Sequence, residues 1–163
     1  MKIYLASPLG FAASTRAYMD VLRERLGIHV EVVNPWDETG FEEDLRRAPS
    51  IENRAERLAL LRTVNDAIGR TNADNIRACD GVVAVLDGVD VDSGTAAEIG
   101  FAYALGKWIA GLRTDFRLTG ENEAAVVNLQ VGHFIDASGG TLVTTIDDLE
   151  AVVEAWASTI GTG

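Results

Sequence analysis

The sequence predicts an α/β domain whose parallel sheet is covered by helices on both faces. Short apolar runs rich in β-branched residues alternate along the chain with longer segments in which apolar residues recur every three or four positions. The clearest pair is a buried strand over residues 82–86, followed by a helix over residues 94–106. Parallel strands need a covering helix in each crossover, and these crossovers are right-handed. The expected architecture is therefore a doubly wound sheet.

The first part of the chain predicts two strands separated by a helix. Residues 2–6 predict the first strand, which ends in the loop 7–10, and residues 14–26 carry helical spacing. Residues 29–33 are short and β-branched, and Asn34 followed by a proline stops this second strand. The loop after the first strand lies at the carboxyl ends of the strands, where open α/β sheets bind ligands.

A long helix is predicted over residues 51–79, after Pro49 and Ser50. Apolar residues fall at three- or four-residue steps along it, and Asn72 is the polar exception on this face. A carboxamide there either satisfies buried backbone groups or points at a ligand, and both alternatives stay open. Gly69 offers a point at which the segment could divide into two helices.

The last part of the chain predicts two further strands and a closing helix. Residues 108–112 form the fourth strand, and a long polar excursion follows over residues 113–117 and 120–123. Long loops in compact domains are commonly functional or assembly elements. Residues 141–145 predict the last strand, and residues 147–157 predict a helix with acidic residues in its first turn.

Together these elements predict a single domain, residues 1–163, with five parallel strands in the flavodoxin-like order. A length of 163 residues with 47% hydrophobic residues suits one core. The loop over residues 6–10 lacks the spaced glycines of a dinucleotide fingerprint, and no Walker-type phosphate loop occurs. Chemistry that uses nicotinamide, flavin or a nucleoside triphosphate is therefore disfavoured, and we expect no cofactor.

The composition narrows the classes of partner. The formal net charge is −11, with two lysines against twelve arginines, which argues against binding a nucleic-acid polymer because phosphate neutralisation needs a basic face. No apolar run approaches the roughly 18 residues of a membrane span, and no signal-peptide pattern is present. We therefore expect a cytoplasmic protein that binds small, largely uncharged molecules and no membrane.

Cysteine and histidine indicate neither a disulfide nor a metal site. Cys79 is the single cysteine, and its apolar neighbours predict a small core residue. His29 and His133 lie far apart in sequence without the spacing of metal ligands. We expect no bound metal.

Asp92 and Glu98 are the strongest candidates for chemistry. Both lie near the turn that opens the central helix, at the sheet edge where ligands bind. Gly94 and Gly100 leave little side-chain bulk near Glu98, so a ligand could approach it. Two carboxylates can divide the roles of nucleophile and proton donor, or of nucleophile and substrate clamp, which suggests chemistry at a glycosidic carbon. The alternative is a capping box of Thr95 and Glu98, in which Glu98 only stabilises its own helix.

Four segments of the chain together resemble the nucleoside 2-deoxyribosyltransferases: residues 4–8, 78–88, 92–100 and 127–129. The match spans most of the chain in consistent order, and its central acidic, glycine-bearing segment is the specific part. In the family that this chain resembles, a glutamate at the position of Glu98 attacks the anomeric carbon of a 2′-deoxynucleoside. The base is released, a deoxyribosyl ester forms on the enzyme, and a second base then takes the sugar.

The resemblance implies roles for further residues. It implies that Asp92 holds sugar hydroxyls and that Tyr4 orients the nucleophile through a hydrogen bond. It also implies that Asn128 contacts the sugar in a neighbouring subunit's site, so we expect a homo-oligomer with sites shared between subunits. The expected small-molecule partners are deoxynucleosides and free nucleobases.

The chain departs from the family pattern at several positions. Asn72 stands where well-known members often carry an acid, with Asp74 nearby, so the group that assists base protonation stays open. Gln130 stands where a methionine is familiar, which alters pocket polarity. The loop 7–11 has no arginine, unlike relatives that hydrolyse nucleoside monophosphates, so a free nucleoside is the expected substrate. The candidates for substrate binding are Asn72, Asp87, Gly94, Asn128 and Gln130.

Other interpretations stay open on the sequence alone. Water could intercept the same intermediate, which would make the protein a deoxynucleoside N-glycoside hydrolase, and a non-catalytic nucleotide-sensing module is a further alternative. Tyr4 could simply pack in its sheet. Phe11 and Trp36 could line the pocket, or cover core edges and subunit contacts. Asn128 could cap the chain locally, and Asp87 could end its strand in a turn.

Overall fold

The computed structural model describes residues 1–160, with side chains through residue 159. The strands are β1 (Lys2–Ala6), β2 (Glu31–Val33), β3 (Gly81–Val85), β4 (Trp108–Leu112) and β5 (Leu142–Val143). The α-helices are α1 (Ala13–Leu26), α2 (Glu42–Arg47), α3 (Arg54–Ala78), α4 (Ser93–Ala104), α5 (Leu129–Ala137) and α6 (Ile146–Ile160). Short 3-10 helices lie at Leu9–Phe11, Pro35–Asp37 and Ala48–Ser50. Among the helices of residues 1–160, none has both the length and the apolar character that crossing a membrane requires.

All five strands pair in parallel in the order β2-β1-β3-β4-β5, which confirms the predicted flavodoxin-like sheet. The register places Tyr4 of β1 beside Val33 of β2 and Val82 of β3. The chain runs from β1 to β2 on one side and from β3 to β4 on the other, so the strand order reverses between β1 and β3. The carboxyl ends of these two strands border the crevice where such sheets bind ligands.

Helices cover both faces of the sheet. On one face, α1 and α6 bury apolar side chains such as Leu22 and Leu149. On the other face, α3, α4 and α5 bury Ile76, Ile99 and Ile135. Strand β3 lies between the two layers, and all five of its residues are buried. This position explains why its sequence is continuously apolar instead of alternating.

Polar contacts also join α1 to α6. Arg25 donates a 2.7 Å hydrogen bond from Nη1 to Asp147 and another of 2.7 Å from Nε to Glu150. His29, just beyond α1, lies with Nε2 3.1 Å from the second oxygen of Glu150. His29 and Arg25 lower the pKa of Glu150 because their hydrogen bonds favour its ionised form.

Several elements differ from the predictions, and three of the differences have a clear physical reason. Strand β2 begins only at Glu31, because the residues after α1 first turn back onto that helix through backbone hydrogen bonds. Helix α3 continues through Gly69 without a break, and Asn53 caps it by accepting hydrogen bonds from two backbone N–H groups. The sequence pattern does not predict α2 or α5, which are six and nine residues long and follow segments that resemble polar loops.

Candidate active site

Helix α4 begins after Asp92, which is its N-cap. The Oδ2 atom of Asp92 accepts hydrogen bonds from the backbone N–H of Thr95 at 3.0 Å and from the Thr95 hydroxyl at 3.3 Å. The first of these bonds satisfies a backbone donor that the first helical turn leaves without a partner. Glu98 lies more than one turn further along and takes no part in the cap. The interpretation of Thr95 and Glu98 as a capping box is therefore wrong.

Tyr4 and Glu98 meet between β1 and α4. Tyr4 is fully buried in the core beneath α4, and its phenol Oη donates a 2.6 Å hydrogen bond to Oε1 of Glu98. A buried phenol needs an acceptor for its proton, and the carboxylate supplies one. Burial and the adjacent carboxylate both raise the pKa of the Tyr4 phenol, so Tyr4 remains protonated and acts as the donor.

The surroundings of Glu98 raise its pKa. Partial burial disfavours the ionised carboxylate, and the nearby negative charge of Asp92 adds to the rise. The hydrogen bond from Tyr4 acts in the opposite direction because it stabilises the ionised form. Carboxylates with raised pKa values are common in functional sites.

Glu98 lines a cavity of about 420 Å³, called here the Glu98 cavity. Three further predicted site residues line it as well, namely Asp92, Gly94 and Asn72. The other lining residues are Ser7, Phe11, Pro35, Trp36, Leu45, Asn65, Ile68 and Thr95. In the part of the chain that the structure describes, no group of three or more His, Cys, Asp or Glu side chains could hold a metal ion. A concave site of this volume suits a small organic molecule.

Helix α3 supplies one wall of the Glu98 cavity. Asn65, Ile68 and Asn72 are spaced by three and four residues, so they follow one another along a single helix face. Each carboxamide can both donate and accept hydrogen bonds, and Ile68 adds apolar surface between them. The sequence analysis does not name Asn65 as a site residue. Its spacing of two helical turns from Asn72 is nevertheless a signal, because it places both carboxamides on one helix face.

Phe11 and Trp36 supply an aromatic part of the wall. Their ring centroids lie 4.6 Å apart with the planes at 82°, an edge-to-face contact. The indole Nε1 of Trp36 donates a 2.9 Å hydrogen bond to the carbonyl oxygen of Ser7, in the loop after β1. Of the two alternatives for these aromatic residues, the structure therefore favours pocket lining.

Asp87 lies outside the Glu98 cavity and ties two loops together. Its carboxylate accepts hydrogen bonds from the N–H groups of Thr114 at 2.6 Å and Asp115 at 2.8 Å, and from the Thr114 hydroxyl at 2.7 Å. These contacts join the end of β3 to the loop that follows β4. The position of Asp87 thus stabilises the start of the segment that leads into α4.

Arg113 anchors the same segment from the carboxyl end of β4. Its guanidinium is buried and donates to the carbonyl oxygens of Leu86, Gly88 and Arg117. Charged side chains are rarely buried without such partners. The sequence pattern does not single out Arg113, because an arginine after a strand resembles any other member of a polar loop.

Asn128 and Gln130 lie apart from the Glu98 cavity within one chain. Asn128 is the N-cap of α5, where its Oδ1 accepts hydrogen bonds from the N–H groups of Gln130 at 3.0 Å and Val131 at 3.3 Å. Its Nδ2 donates a 2.7 Å hydrogen bond to Glu121. The side chain of Gln130 is exposed. One N–H of the Asn128 amide can therefore still serve an outside acceptor.

The arrangement around Glu98 is suited to nucleophilic chemistry. A carboxylate that faces a cavity, is held by a hydrogen bond and stands near a second carboxylate can attack an electrophilic carbon and form a covalent intermediate. The hydrogen bond from Tyr4 fixes the position of one carboxylate oxygen. The other oxygen is then available to a bound molecule.

The sequence matches a family model described as nucleoside 2-deoxyribosyltransferase over residues 3–130. The matched range includes the three predicted catalytic residues, Tyr4, Asp92 and Glu98. No curated protein matches the sequence. The family resemblance read from the sequence is confirmed by this match.

Several solved structures share the fold. A conserved protein from Enterococcus faecalis V583 is 26% identical with a TM-score of 0.65, and the alignment covers 95% of this chain and 98% of that one. The 2-deoxyribosyltransferase of Bacillus psychrosaccharolyticus is 21% identical with a TM-score of 0.60, covering 92% and 90%. The CMP N-glycosidase BcmB of Clostridium botulinum is 19% identical with a TM-score of 0.53, covering 93% and 96%.

Proposed function

Because the chain belongs to the nucleoside 2-deoxyribosyltransferase family, we propose that it transfers 2-deoxyribose between nucleobases through an ester on Glu98. The observation that carries this proposal is the Glu98 carboxylate, which lines the cavity and accepts the 2.6 Å hydrogen bond from Tyr4. The proposed substrates are free 2′-deoxynucleosides and nucleobases. Action at the glycosidic bond of nucleosides is supported by the family match and by the names of two structural neighbours, a 2-deoxyribosyltransferase and a CMP N-glycosidase.

The proposed reaction consists of two displacements at the anomeric carbon. In the first, a Glu98 oxygen bonds to C1′ while the C1′–N bond breaks, and its electron pair leaves with the base nitrogen, which takes up a proton. In the second, a nitrogen of the incoming base bonds to C1′ and loses a proton, while the ester bond breaks and restores the carboxylate. Two inversions give net retention at C1′.

Four of the predicted site residues have a place beside Glu98 in this reaction. Tyr4 keeps Glu98 oriented and favours its ionised form, which the attack requires. Asp92 uses Oδ2 for the helix cap, which leaves Oδ1 to accept hydrogen bonds from sugar hydroxyls. Asn72 offers an amide to the base, and Gly94 keeps side-chain bulk away from the sugar. None of these roles requires a metal ion or a cofactor.

Asn128 and Gln130 are proposed to act in the site of a neighbouring subunit. Both lie outside the Glu98 cavity of their own chain, and the family resemblance implies that Asn128 contacts a partner's sugar. Exposed apolar side chains occur in the same part of the chain, namely Phe116, Leu118 and Leu129. An apolar surface of this kind is typical of subunit interfaces. The proposed working form is therefore a homo-oligomer with shared sites.

A base-exchange assay tests the proposal. The protein is incubated with a deoxynucleoside and a different free base, and the products are separated by chromatography; the swapped nucleoside is expected. Acid-quenched protein is examined by intact mass spectrometry for one added deoxyribosyl group, with Glu98→Gln as the control that should lack it. Free deoxyribose without any swapped nucleoside would identify a hydrolase instead, and the absence of both products and of the adduct would overturn the proposal.

A further inference from the structure

A second cavity, of about 500 Å³, adjoins the Glu98 cavity. The residues that line both are Pro35, Trp36, Leu45, Ile68 and Asn72. Trp36 has the largest side chain among them. The Glu98 cavity alone has room for a nucleoside-sized molecule. The second cavity is therefore additional space, and Trp36 forms part of the wall between the two cavities.

Trp36 is fixed in its position by several independent contacts. Its backbone N–H donates to the side chain of Asn34 at 3.3 Å, and its indole N–H donates to the carbonyl oxygen of Ser7. Its ring lies so close to Gly10 that a Cβ atom there would come within 2.0 Å of the indole. Only glycine leaves this space free, so the loop after β1 and the position of the indole depend on one another. Phe11 adds the edge-to-face contact.

The lining of the second cavity is apolar with charged groups among it. Met19, Phe41 and Leu45 supply apolar surface, whereas Arg16 and two glutamates supply charge. None of the three residues expected to act on the sugar lines this cavity: Tyr4, Asp92 and Glu98. The second cavity is therefore suited to an apolar group attached to a substrate and not to the reacting sugar.

We propose that Trp36 is a specificity-determining residue that separates the two cavities and limits the length of the nucleobase. The inference rests on the proposed function, because it takes the occupant of the Glu98 cavity to be a nucleoside. With the indole in place, the site admits unsubstituted bases. Without the indole, the two cavities join, and a base that carries a bulky apolar substituent can extend into the second one.

Substitutions at position 36 test this inference with two probes, adenine and benzyladenine. Equilibrium dissociation constants are measured by calorimetry, and both bases are also offered as acceptors in the exchange assay. Wild-type protein is expected to favour adenine. Trp36→Ala is expected to change the ratio of the two affinities toward benzyladenine by about tenfold or more, since pocket selectivity for added apolar groups is commonly of that order. Trp36→Phe keeps a smaller ring, so its affinity ratio is expected to lie between those of wild type and Trp36→Ala.

The matched control is Ile28→Ala, which removes an exposed apolar side chain that lines neither cavity. Its affinity ratio should equal that of wild type. Far-ultraviolet circular dichroism identifies folded variants, and Trp36→Phe tests the inference if Trp36→Ala does not fold.

Two results would overturn the role of Trp36: an unchanged affinity ratio in folded position-36 variants, or equal affinity of wild type for both bases. If the affinity ratio changes but no folded protein exchanges bases, the separation of the two cavities by Trp36 is supported and the proposed transfer of 2-deoxyribose is overturned. Binding and turnover thus separate a failure of this inference from a failure of the proposed function.

Discussion

Tyr4 of β1 and Glu98 of α4 are 94 positions apart in the chain and share a 2.6 Å hydrogen bond. The bond links the buried interior of the sheet to the cavity at its edge. Burial and the charge of Asp92 raise the pKa of Glu98 and the hydrogen bond from Tyr4 lowers it, so the ionisation of this carboxylate depends on opposed effects of the same fold. A nucleophile must be ionised to attack, which makes this balance relevant to the rate.

Tyr4→Phe should shift the acid limb of the pH profile of kcat/KM to higher pH. The change removes the hydrogen bond that favours ionised Glu98 and keeps the ring that packs in the core. A hydrogen bond to a charged group contributes about 1.5–3 kcal/mol, so the acid limb should move by roughly one to two pH units. Steady-state kinetics between pH 5 and pH 9 measure the shift. An unmoved acid limb would show that Tyr4 serves packing alone.

Glu98→Gln should abolish most of the activity, and its stability relative to wild type should increase as the pH rises. Removal of a covalent nucleophile typically costs at least about 10³-fold in kcat.

The stability of the same variant follows from the pKa of the carboxylate. The folded-state pKa of Glu98 lies above its ordinary value of 4.5, so the folded protein binds more protons than the unfolded chain between these values. Wild-type stability therefore falls as pH rises through this window, and the variant lacks this loss. Denaturant unfolding at several pH values should show the difference in unfolding free energy growing with pH; a difference that shrinks with pH would contradict the assignment.

Asp92 should show separable structural and chemical roles. Asp92→Ala removes the N-cap of α4, which costs about 0.5–2 kcal/mol of stability, and also removes the carboxylate from the cavity. Asp92→Asn keeps a side-chain oxygen that caps equally well but carries no charge. Thermal unfolding should find only the alanine variant destabilised, whereas the exchange assay should find both impaired. If Asp92→Asn has the kcat/KM of wild type, the charge of Asp92 has no role in the reaction and the residue only caps α4.

The parts of the fold that the sequence predicts best are the strands in the middle of the sheet. The strands β1 and β4 have the predicted bounds because a strand between two helical layers is buried along most of its length and therefore largely apolar. Strand β5 pairs over only two residues at the sheet edge, so its five-residue pattern overstates it. The sequence does not predict helix α5, because this helix is only nine residues long and follows a long polar stretch.

Only some residues of the candidate site could be predicted from the sequence. Asp92, Glu98 and Tyr4 are carried by short motifs beside strong secondary-structure signals, so they could be named from the sequence. The sequence offers pocket lining for Trp36 only as one of two alternatives, and the spacing of Asn65 from Asn72 does not by itself place Asn65 beside Glu98. Both come from other parts of the chain, a loop after β2 and α3, and tertiary packing brings them to the cavity. Periodicity describes one element at a time and does not give the contacts between elements.

Glu150→Gln should destabilise the protein at neutral pH but not at low pH. The pKa of Glu150 is lowered from 4.5 by His29 and Arg25, so its contribution to stability is present above the ordinary value and is lost as the pH falls through the folded value. Thermal unfolding should give a lower Tm for the variant at pH 7 and matching Tm values in acid. Glu154→Gln on the same helix is the control, because Glu154 is exposed, and it should match wild type throughout. A Tm difference of the same size in acid would contradict the linkage.

Mixing two inactive variants should restore activity if sites are shared between subunits. Asn128→Ser keeps a capping oxygen for α5 but removes the amide N–H groups, whereas Glu98→Gln removes the nucleophile and leaves Asn128 intact. In a hybrid dimer, one site carries both changes and the other carries neither, so co-refolding equal amounts should recover about a quarter of the wild-type activity. Each variant refolded alone is the control. If Asn128 acted within its own chain, or if the subunits worked singly, every site in the mixture would carry one change and no activity would return.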